Sequence, residues 1–428
     1  VPQVCQLYGW PIGPTPQQTV GIIAGTYDQT DVSLYFENLN KSLYAAGFYV
    51  QGTQTGMTAA TPPVGAVVGQ LVPPTQAAGT LIVASGSNDG DGSYGDGEID
   101  MDTCIVSTIA QGAVIALYFL NYGASADWVR AVGNAIHPDP GQPHPSVLSC
   151  SYGFAGYGDD TGPMSYAGVT PMDLAAMSAY FQDALYVGVT VCVASGDSGV
   201  GTGIIDGDDG KCHVTYPASD PWVLACGGTA IGRIRLSRPF SHVLEFEEYI
   251  WSDAVGVTGG GVSAFFNSNN ATYPNFRQPF YQAGAAIPVS LNDGSVGRGV
   301  PDVAANSGPS GYATYLDGTW AKAGGTSAAA PLIAGLIAQL NSKFNYKIGF
   351  LNPFLYDGKG SLCRKITSNP AANAIGNSSL IVGYGGALDI DTQGYPGTAS
   401  GWDACTGWGV FDWHAMVTLL TPKYRIPI

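Results

Sequence analysis

The sequence predicts one large α/β domain over residues 1–428, built on a central, mostly parallel β-sheet flanked by helices on both faces. Three observations lead there. Short, almost wholly apolar runs alternate with longer stretches of helical character, the pattern of strands covered on both sides by crossover helices. Several of these runs end in glycine, at Gly153, Gly196 and Gly227, marking a rim of strand carboxyl ends where the chemistry of such sheets gathers. The 428 residues show no internal repeat or linker that would divide them, and that length supports a large core.

In chain order, residues 1–18 are rich in Pro and Gln and are expected to wrap the surface. Thr19–Gly25 reads as a buried strand and 30–46 as a helix. Residues 51–78 read as loop, Leu81–Ala84 as a short strand, and Asn88-Asp89-Gly90-Asp91-Gly92 as a turn whose spacing does not match an EF-hand. A helix is predicted from near Gly97 to Ala110, a strand at Ala113–Leu120 and a helix at Ala126–Ile136. Strands follow at Ser146–Gly153, Thr190–Ala194 and Trp222–Thr229, with an amphipathic helix at Thr170–Val187. Residues 359–401 are loop-rich, and a last helix covers about Phe411–Leu420.

Composition narrows the function classes. Thirty-two acidic against 16 basic residues give a formal charge of −16, which disfavours nucleic acid or an anionic membrane as partner. No apolar run reaches the ~18 residues of a membrane span. Charged residues make up only 11%, so the surface changes little when carboxylates protonate; this suits an acidic medium, and lysine-poor secreted proteins in general. Eight cysteines, an even number without a CxxC zinc pattern, suit disulfides in an oxidising compartment. Sequons at Asn40, Asn270 and Asn377 allow glycosylation. A start at Val1 without a signal segment is taken as a processed form.

One stretch organises the rest: Gly324-Gly325-Thr326-Ser327-Ala328-Ala329-Ala330-Pro331, followed by an apolar run. Two glycines let backbone approach closely. The small residues after them let a helix start against other structure, with Pro331 expected early in it, where a missing N–H does least harm. Ser327 then lies beside free N–H groups at the positive end of the helix dipole, a suitable place for a nucleophile whose attack creates an oxyanion. Thr326 or Ser327 as a plain N-cap is the alternative.

A serine nucleophile needs a base. His137, His144, His213, His242 and His414 offer none in a recognisable setting. Glu98 and Asp102 stand four apart on a predicted helix, on one face with Cβ atoms ~6 Å apart. Neighbouring carboxylates resist double ionisation and can share a proton. A carboxylate also remains a base in acid, where histidine, with a free pKa of ~6.5, is mostly protonated. Alone, this pair equally describes a solvated acidic helix start. Asp197, just past a buried strand, could when protonated donate to an oxyanion, or be a turn aspartate.

Together these pieces resemble the sedolisin family, the serine-carboxyl peptidases. The order Glu98-x-x-x-Asp102, Ser195-Gly196-Asp197-Ser198-Gly199, then Gly324-Gly325-Thr326-Ser327 with Pro331 matches the family, as do Tyr216-Pro217-Ala218-Ser219, Gly259-Gly260-Gly261-Val262-Ser263, Pro301-Asp302-Val303 and Gly401-Trp402-Asp403. The resemblance covers nearly the whole chain. It implies a subtilisin-like fold, a single catalytic domain, and peptide hydrolysis at acidic pH after removal of an N-terminal propeptide. It also implies Ser327 as nucleophile, Glu98 as general base and acid, Asp102 as its orienting partner and Asp197 as the oxyanion acid. Secretion or an acidic vacuole or lysosome, peptide substrates, no nucleic acid, no membrane and a monomer complete the expectation. The alternatives are a histidine-dependent subtilisin-like peptidase, and a catalytically inactive binding or structural protein on the same scaffold.

The chain departs from the family pattern in places. Tyr152 stands where many members have Trp, Ala24 where they have Glu, and Thr215 where some carry an acid before the Pro-Ala turn. The family's calcium site uses an Asp-Ile pair, carbonyls of a glycine loop and an Asp after Gly-Trp. Asp403 and the Gly401 loop remain, but the pair reads Lys365-Ile366. An ammonium cannot ligate a hard cation. The expectation is that no cofactor or metal is held, and that Lys365 occupies the cation position and pairs with Asp403.

Overall fold

Eight strands form the central sheet: β1 (Thr19–Ala24), β2 (Leu81–Ser85), β3 (Val114–Phe119), β4 (Val147–Cys150), β5 (Thr190–Ala194), β6 (Leu224–Leu236), β7 (Leu244–Ile250) and β8 (Val303–Gly308). The spatial order is β7-β6-β5-β4-β1-β3-β2, with β8 also alongside β6. Only β6–β7 is antiparallel; the other pairs are parallel. The computed structural model describes residues 1–45, 49–50, 67–68, 71–88, 96–120, 125–155, 170–201, 211–236, 244–253, 255–269, 277–308, 311–366, 378, 380–382, 388–390 and 394–421. The expected turn at 89–92 and the sequons Asn270 and Asn377 lie outside these residues.

Strand side chains alternate between two cores, as a period of two requires. Val20, Ile22, Ile115, Leu117, Phe119, Cys192 and Ala194 join one core. Ile23, Ala116, Tyr118, Leu148, Val191 and Val193 join the other. The first core is closed by α3 (Asp96–Ile109) and α6 (Thr326–Phe344), the second by α4 (Ser125–Ile136) and α5 (Pro171–Val187). Helix α6 runs through the interior, buried from Ala328 to Asn341. Each Leu or Ile it buries there contributes about 1.5–3 kcal/mol. Helix α5 starts on a capping box between Thr170 and Asp173 and ends at Gly188 in the left-handed region.

The strands and helices predicted along the apolar runs are present within a few residues. The amino-terminal stretch differs. It forms α1 (Pro2–Tyr8), and Trp10 is wholly buried, its indole donating to the Phe411 carbonyl at 2.9 Å. Helix α2 spans Gln29–Ala45. Strand β6 continues past Thr229 to pair with β7. A hairpin of β9 (Tyr312–Leu316) and β10 (Thr319–Ala323) turns on Asp317-Gly318, both with positive φ; Asp-Gly between alternating residues is its sequence signal. Helices α7 (Asn352–Asp357) and α8 (Trp413–Leu419) complete the set used here.

The expectation of disulfides is corrected. No disulfide joins any of the eight cysteines, seven of which are buried and pack as small groups in the interior. Cys192 and Cys226 are neighbours on adjacent strands, but the register sets Cys192 opposite Leu224 and Cys226 opposite Ala194. They are diagonal neighbours, a poor geometry for an S–S bond. The Asn40 amide is engaged with the Leu71 backbone, donating at 2.8 Å and accepting at 3.0 Å.

Candidate active site

The site forms where α6 starts against the end of β5. Gly325 is the residue before α6, with φ 85° and no side-chain cap. A Cβ there would lie 2.2 Å from Asp197 Oδ2, so the glycine is required by both conformation and space. Thr326 does not cap its own helix. Its N–H and its hydroxyl each donate to Asp197 Oδ1 at 2.7 Å, and the same hydroxyl accepts from Gly196 N at 2.9 Å. This stitches the strand end to the helix start and leaves Asp197 Oδ2 beside Gly325. Asp197 is exposed to the cleft, yet crowding of protein around its carboxyl raises its pKa, against the two Thr326 bonds.

Ser327 is the second residue of α6 and is half-buried. Its hydroxyl donates to the Ser151 carbonyl oxygen at 3.5 Å and stands beside the Glu98 carboxyl, whose pKa it holds down. Glu98 and Asp102 sit one turn apart on α3, facing α6 rather than solvent. Asp102 is wholly buried. Glu98 Oε1 and Asp102 Oδ1 are both buried without a hydrogen-bond partner, which is costly for ionised oxygens unless a proton is retained. Burial is the first cause raising the pKa of Glu98, opposed by the Ser327 bond and reinforced by the charge of Asp197. Burial and then the Glu98 charge raise Asp102, opposed by a bond from Ser151. The reading of the pair as a solvated helix start is thereby set aside: Asp102 is wholly buried and Glu98 partly so, and burial favours the protonated form of each.

Pro331 corrects another expectation. It is the sixth residue of α6 and lies inside the helix, past the four positions whose N–H groups are free. Ala24 ends β1 wholly buried, with no carboxyl to extend the acid chain. Thr215 is buried where a Cβ on Gly153 or Gly196 would meet it. His137 bonds Asp183 at 2.9 Å, His213 is buried elsewhere, and no histidine among the described residues bonds Ser327 or Glu98.

The chain is similar to known proteins along most of its length. The model of the subtilase family matches residues 75–385, well over half the chain. The chain belongs to the subtilase family. Within it, its kinship is with the sedolisins. It is 36% identical over 419 residues to kumamolisin of Bacillus sp. strain MN-32, covering 95% of this chain and 60% of that protein. It is 28% identical to tripeptidyl-peptidase sed5 of Aspergillus fumigatus, covering 96% and 64%. The solved Pseudomonas sedolisin, a serine-carboxyl proteinase, superposes with a TM-score of 0.65 over 98% of this chain and 97% of that one, at 24% identity, and shows the subtilisin-like fold. The chain thus spans about three fifths of the length of these two curated relatives.

Lys365 and Asp403 meet as expected from the sequence. Lys365 Nζ lies 2.5 Å from Asp403 Oδ2 and 3.1 Å from the Gly407 carbonyl. Asp403 is 2% exposed and also accepts from Thr398 N, Cys405 N, Thr406 N and the Thr406 hydroxyl. An ammonium already holds the carboxylate and a loop carbonyl that a hard cation would need. Among the described residues no group of three or more His, Cys, Asp or Glu is arranged to hold a metal.

Two residues of the site were not singled out by sequence reasoning. Thr326 holds Asp197, and Ser151 donates to Asp102 Oδ2 at 2.7 Å and reaches the Ser327 carbonyl at 3.1 Å. Thr326 was legible only as a cap candidate. Ser151 had a weak signal, as a polar residue at a strand end just before Gly153.

Proposed function

We propose that this subtilase is an acid-acting serine-carboxyl endopeptidase. The observation that carries the reading is the placement of the Ser327 hydroxyl beside the Glu98 carboxyl, with the wholly buried Asp102 one turn along the same helix. Ser327 attacks the peptide carbonyl while Glu98 takes its proton. The tetrahedral oxyanion is met by the Ser327 N–H and by a protonated Asp197, whose Oδ1 is already fixed by Thr326. Glu98 then protonates the leaving amine, and water activated by Glu98 hydrolyses the acyl-enzyme. Asp102 orients Glu98 and carries part of the shared charge.

The working range follows from the signs. The base form of the pair is lost as pH falls through its raised pKa, and the oxyanion donor is lost as pH rises through the raised pKa of Asp197. Burial therefore places activity in weak rather than strong acid. Peptide substrates, a precursor with a propeptide, secretion or an acidic vacuole or lysosome, and a monomer are supported by the same family kinship. No helix of the described residues is long and apolar enough to cross a membrane. At Asp403 we propose that the ammonium replaces a metal. The test is digestion of a peptide mixture across ~pH 3–8, a range bracketing carboxylate and histidine values. Cleavage in acid that Ser327→Ala abolishes supports the reading; a maximum at alkaline pH, or no cleavage at any pH, overturns it.

A further inference from the structure

Proline has no N–H, so the carbonyl four residues before Pro331 lacks its helical donor. That carbonyl belongs to Ser327. The Ser151 hydroxyl stands in the gap, 3.1 Å from Ser327 O and 2.7 Å from Asp102 Oδ2. A hydroxyl carries one proton and can also accept. It cannot donate to both oxygens at once.

The charge on Asp102 decides which oxygen receives the proton. Against ionised Asp102, the Ser151 proton goes to the carboxylate, at a distance suited to a charge-assisted bond, and the Ser327 carbonyl goes without. When Asp102 holds a proton on Oδ2, the carboxyl donates to Ser151, and Ser151 turns its own proton to the Ser327 carbonyl. We propose that Ser151 is a positioning residue whose hydroxyl stabilises the ionised acid pair and couples the pair's charge to the first turn of the nucleophile helix. This rests on the reading of Ser327 and Glu98 as nucleophile and base.

The surroundings make Ser151 the group on which that charge depends. Facing the pair are Cys150 from the end of β4, which feels both acids, and Asp197 from the end of β5. Farther along α3, Asp100 and Cys104 face Tyr27, Asp28 and Asp31. The Val1 ammonium also faces Cys104, but no positive charge acts on Asp102 itself. Ser151 is the one side-chain donor to Asp102 among the described residues. Ala24, where an acid could have joined the chain, is wholly buried and apolar.

The experiment measures kcat/KM against pH with an internally quenched peptide that the wild type cleaves, for the full chain carrying Ser151→Ala, Ser151→Cys or Ser151→Thr. Removing a donor to a carboxylate raises its pKa. Ser151→Ala is expected to move the acid limb up by about one pH unit, a tenfold loss of kcat/KM in acid that fades at higher pH. Ser151→Cys keeps the shape with a weak donor and moves it the same way, and Ser151→Thr restores the wild-type limb. Melting temperatures confirm that the compared proteins are folded; if the alanine variant does not fold, the cysteine and threonine pair decides. An acid limb that stays in place for folded Ser151→Ala or Ser151→Cys, or a loss of kcat/KM equal at every pH, overturns the proposal. A wild type that cleaves nothing would instead sink the underlying peptidase reading.

Discussion

Lys365→Met tests the replacement of a metal by an ammonium. The substitution keeps the length of the side chain and removes its charge. Asp403, 2% exposed, would then keep a buried negative charge on backbone and threonine donors alone. Breaking one side of a buried ion pair costs about 3–5 kcal/mol. Three backbone N–H groups and the Thr406 hydroxyl still face Asp403, and the Lys365 side chain is 19% exposed, so a loss of about 2–3 kcal/mol is the better figure. At roughly 2–4 °C per kcal/mol for a domain of this class, melting should fall by about 4–12 °C. The assay is thermal unfolding of the wild type, Lys365→Met and Lys365→Asp, each with EDTA and with calcium. The wild type should melt at one temperature in both, and Lys365→Met at one lower temperature in both. Lys365→Asp should melt lowest with EDTA and recover with calcium, because a second carboxylate restores a hard-cation donor set. A wild type destabilised by EDTA and rescued by calcium, with calcium bound stoichiometrically at Asp403, would refute the reasoning.

Other expectations can be checked with the same protein. Ser327→Ala and Glu98→Ala should each abolish most turnover, with little change in melting temperature when it is measured in acid; near-normal turnover by Glu98→Ala in acid would remove that residue from the mechanism. Asp197→Ala should cost about 10²–10³ in kcat, the scale of one oxyanion donor, whereas Asp197→Asn, which keeps a donor in its amide, should lose less and keep working at higher pH. Stability should fall as pH rises from about 4 to 7, because the folded state holds protons that the unfolded chain has released: Glu98 is raised from 4.5 to about 7 and Asp220 from 3.8 to about 6, burial first in both. For Glu98 that is worth about 3 kcal/mol at ~1.4 kcal/mol per pH unit, so Glu98→Gln should flatten the melting-temperature profile; an unchanged slope would count against the buried-acid description. Asp302→Ala strands Arg298, both wholly buried and paired at 2.5 Å, and should cost about 3–5 kcal/mol by denaturant titration, with Arg298→Met in the same chain recovering part of it.

Much of the fold was legible because its signals are local. Apolar runs such as Val20–Ala24 and Thr190–Ala194 are buried on both faces, and no other element explains so continuous a run. The glycine turn before Ser327 was legible because Gly325 serves a steric need that few residues meet. The pairing of Lys365 with Asp403 followed from charge at two positions brought together by the family pattern. The rest depended on long-range packing. Nothing local says that Trp10 lies in the core beneath Phe411. An even number of cysteines looks the same in sequence whether the thiols are bridged or simply buried. Pro331 looked like a helix start because its depth in α6 depends on where the helix begins, and Gly325, not a polar cap, sets that point.

The two loops beside Asp197 show why the carboxyl-terminal pair bears on chemistry as well as stability. Asp403 fixes the turn that carries Cys405, whose carbonyl accepts from the Thr258 hydroxyl at 3.0 Å. The same hydroxyl accepts from Gly228 N at 2.8 Å. On either side of Thr258, Val257 N donates to the Asp197 carbonyl at 2.8 Å and Gly259 N to the Gly196 carbonyl at 2.7 Å. A Cβ on Gly259 would lie 2.1 Å from the Ser195 carbonyl oxygen, and one on Gly260 1.9 Å from that of Ala404. The segment 257–260 is thus clamped, without room for a methyl group, between the Asp403 turn and the strand end that presents Asp197. An oxyanion donor acts only if it is already in place when charge develops. A turn released at Lys365 would therefore loosen Asp197 along this path, while Glu98 and Ser327, carried by α3 and α6, would stay in place.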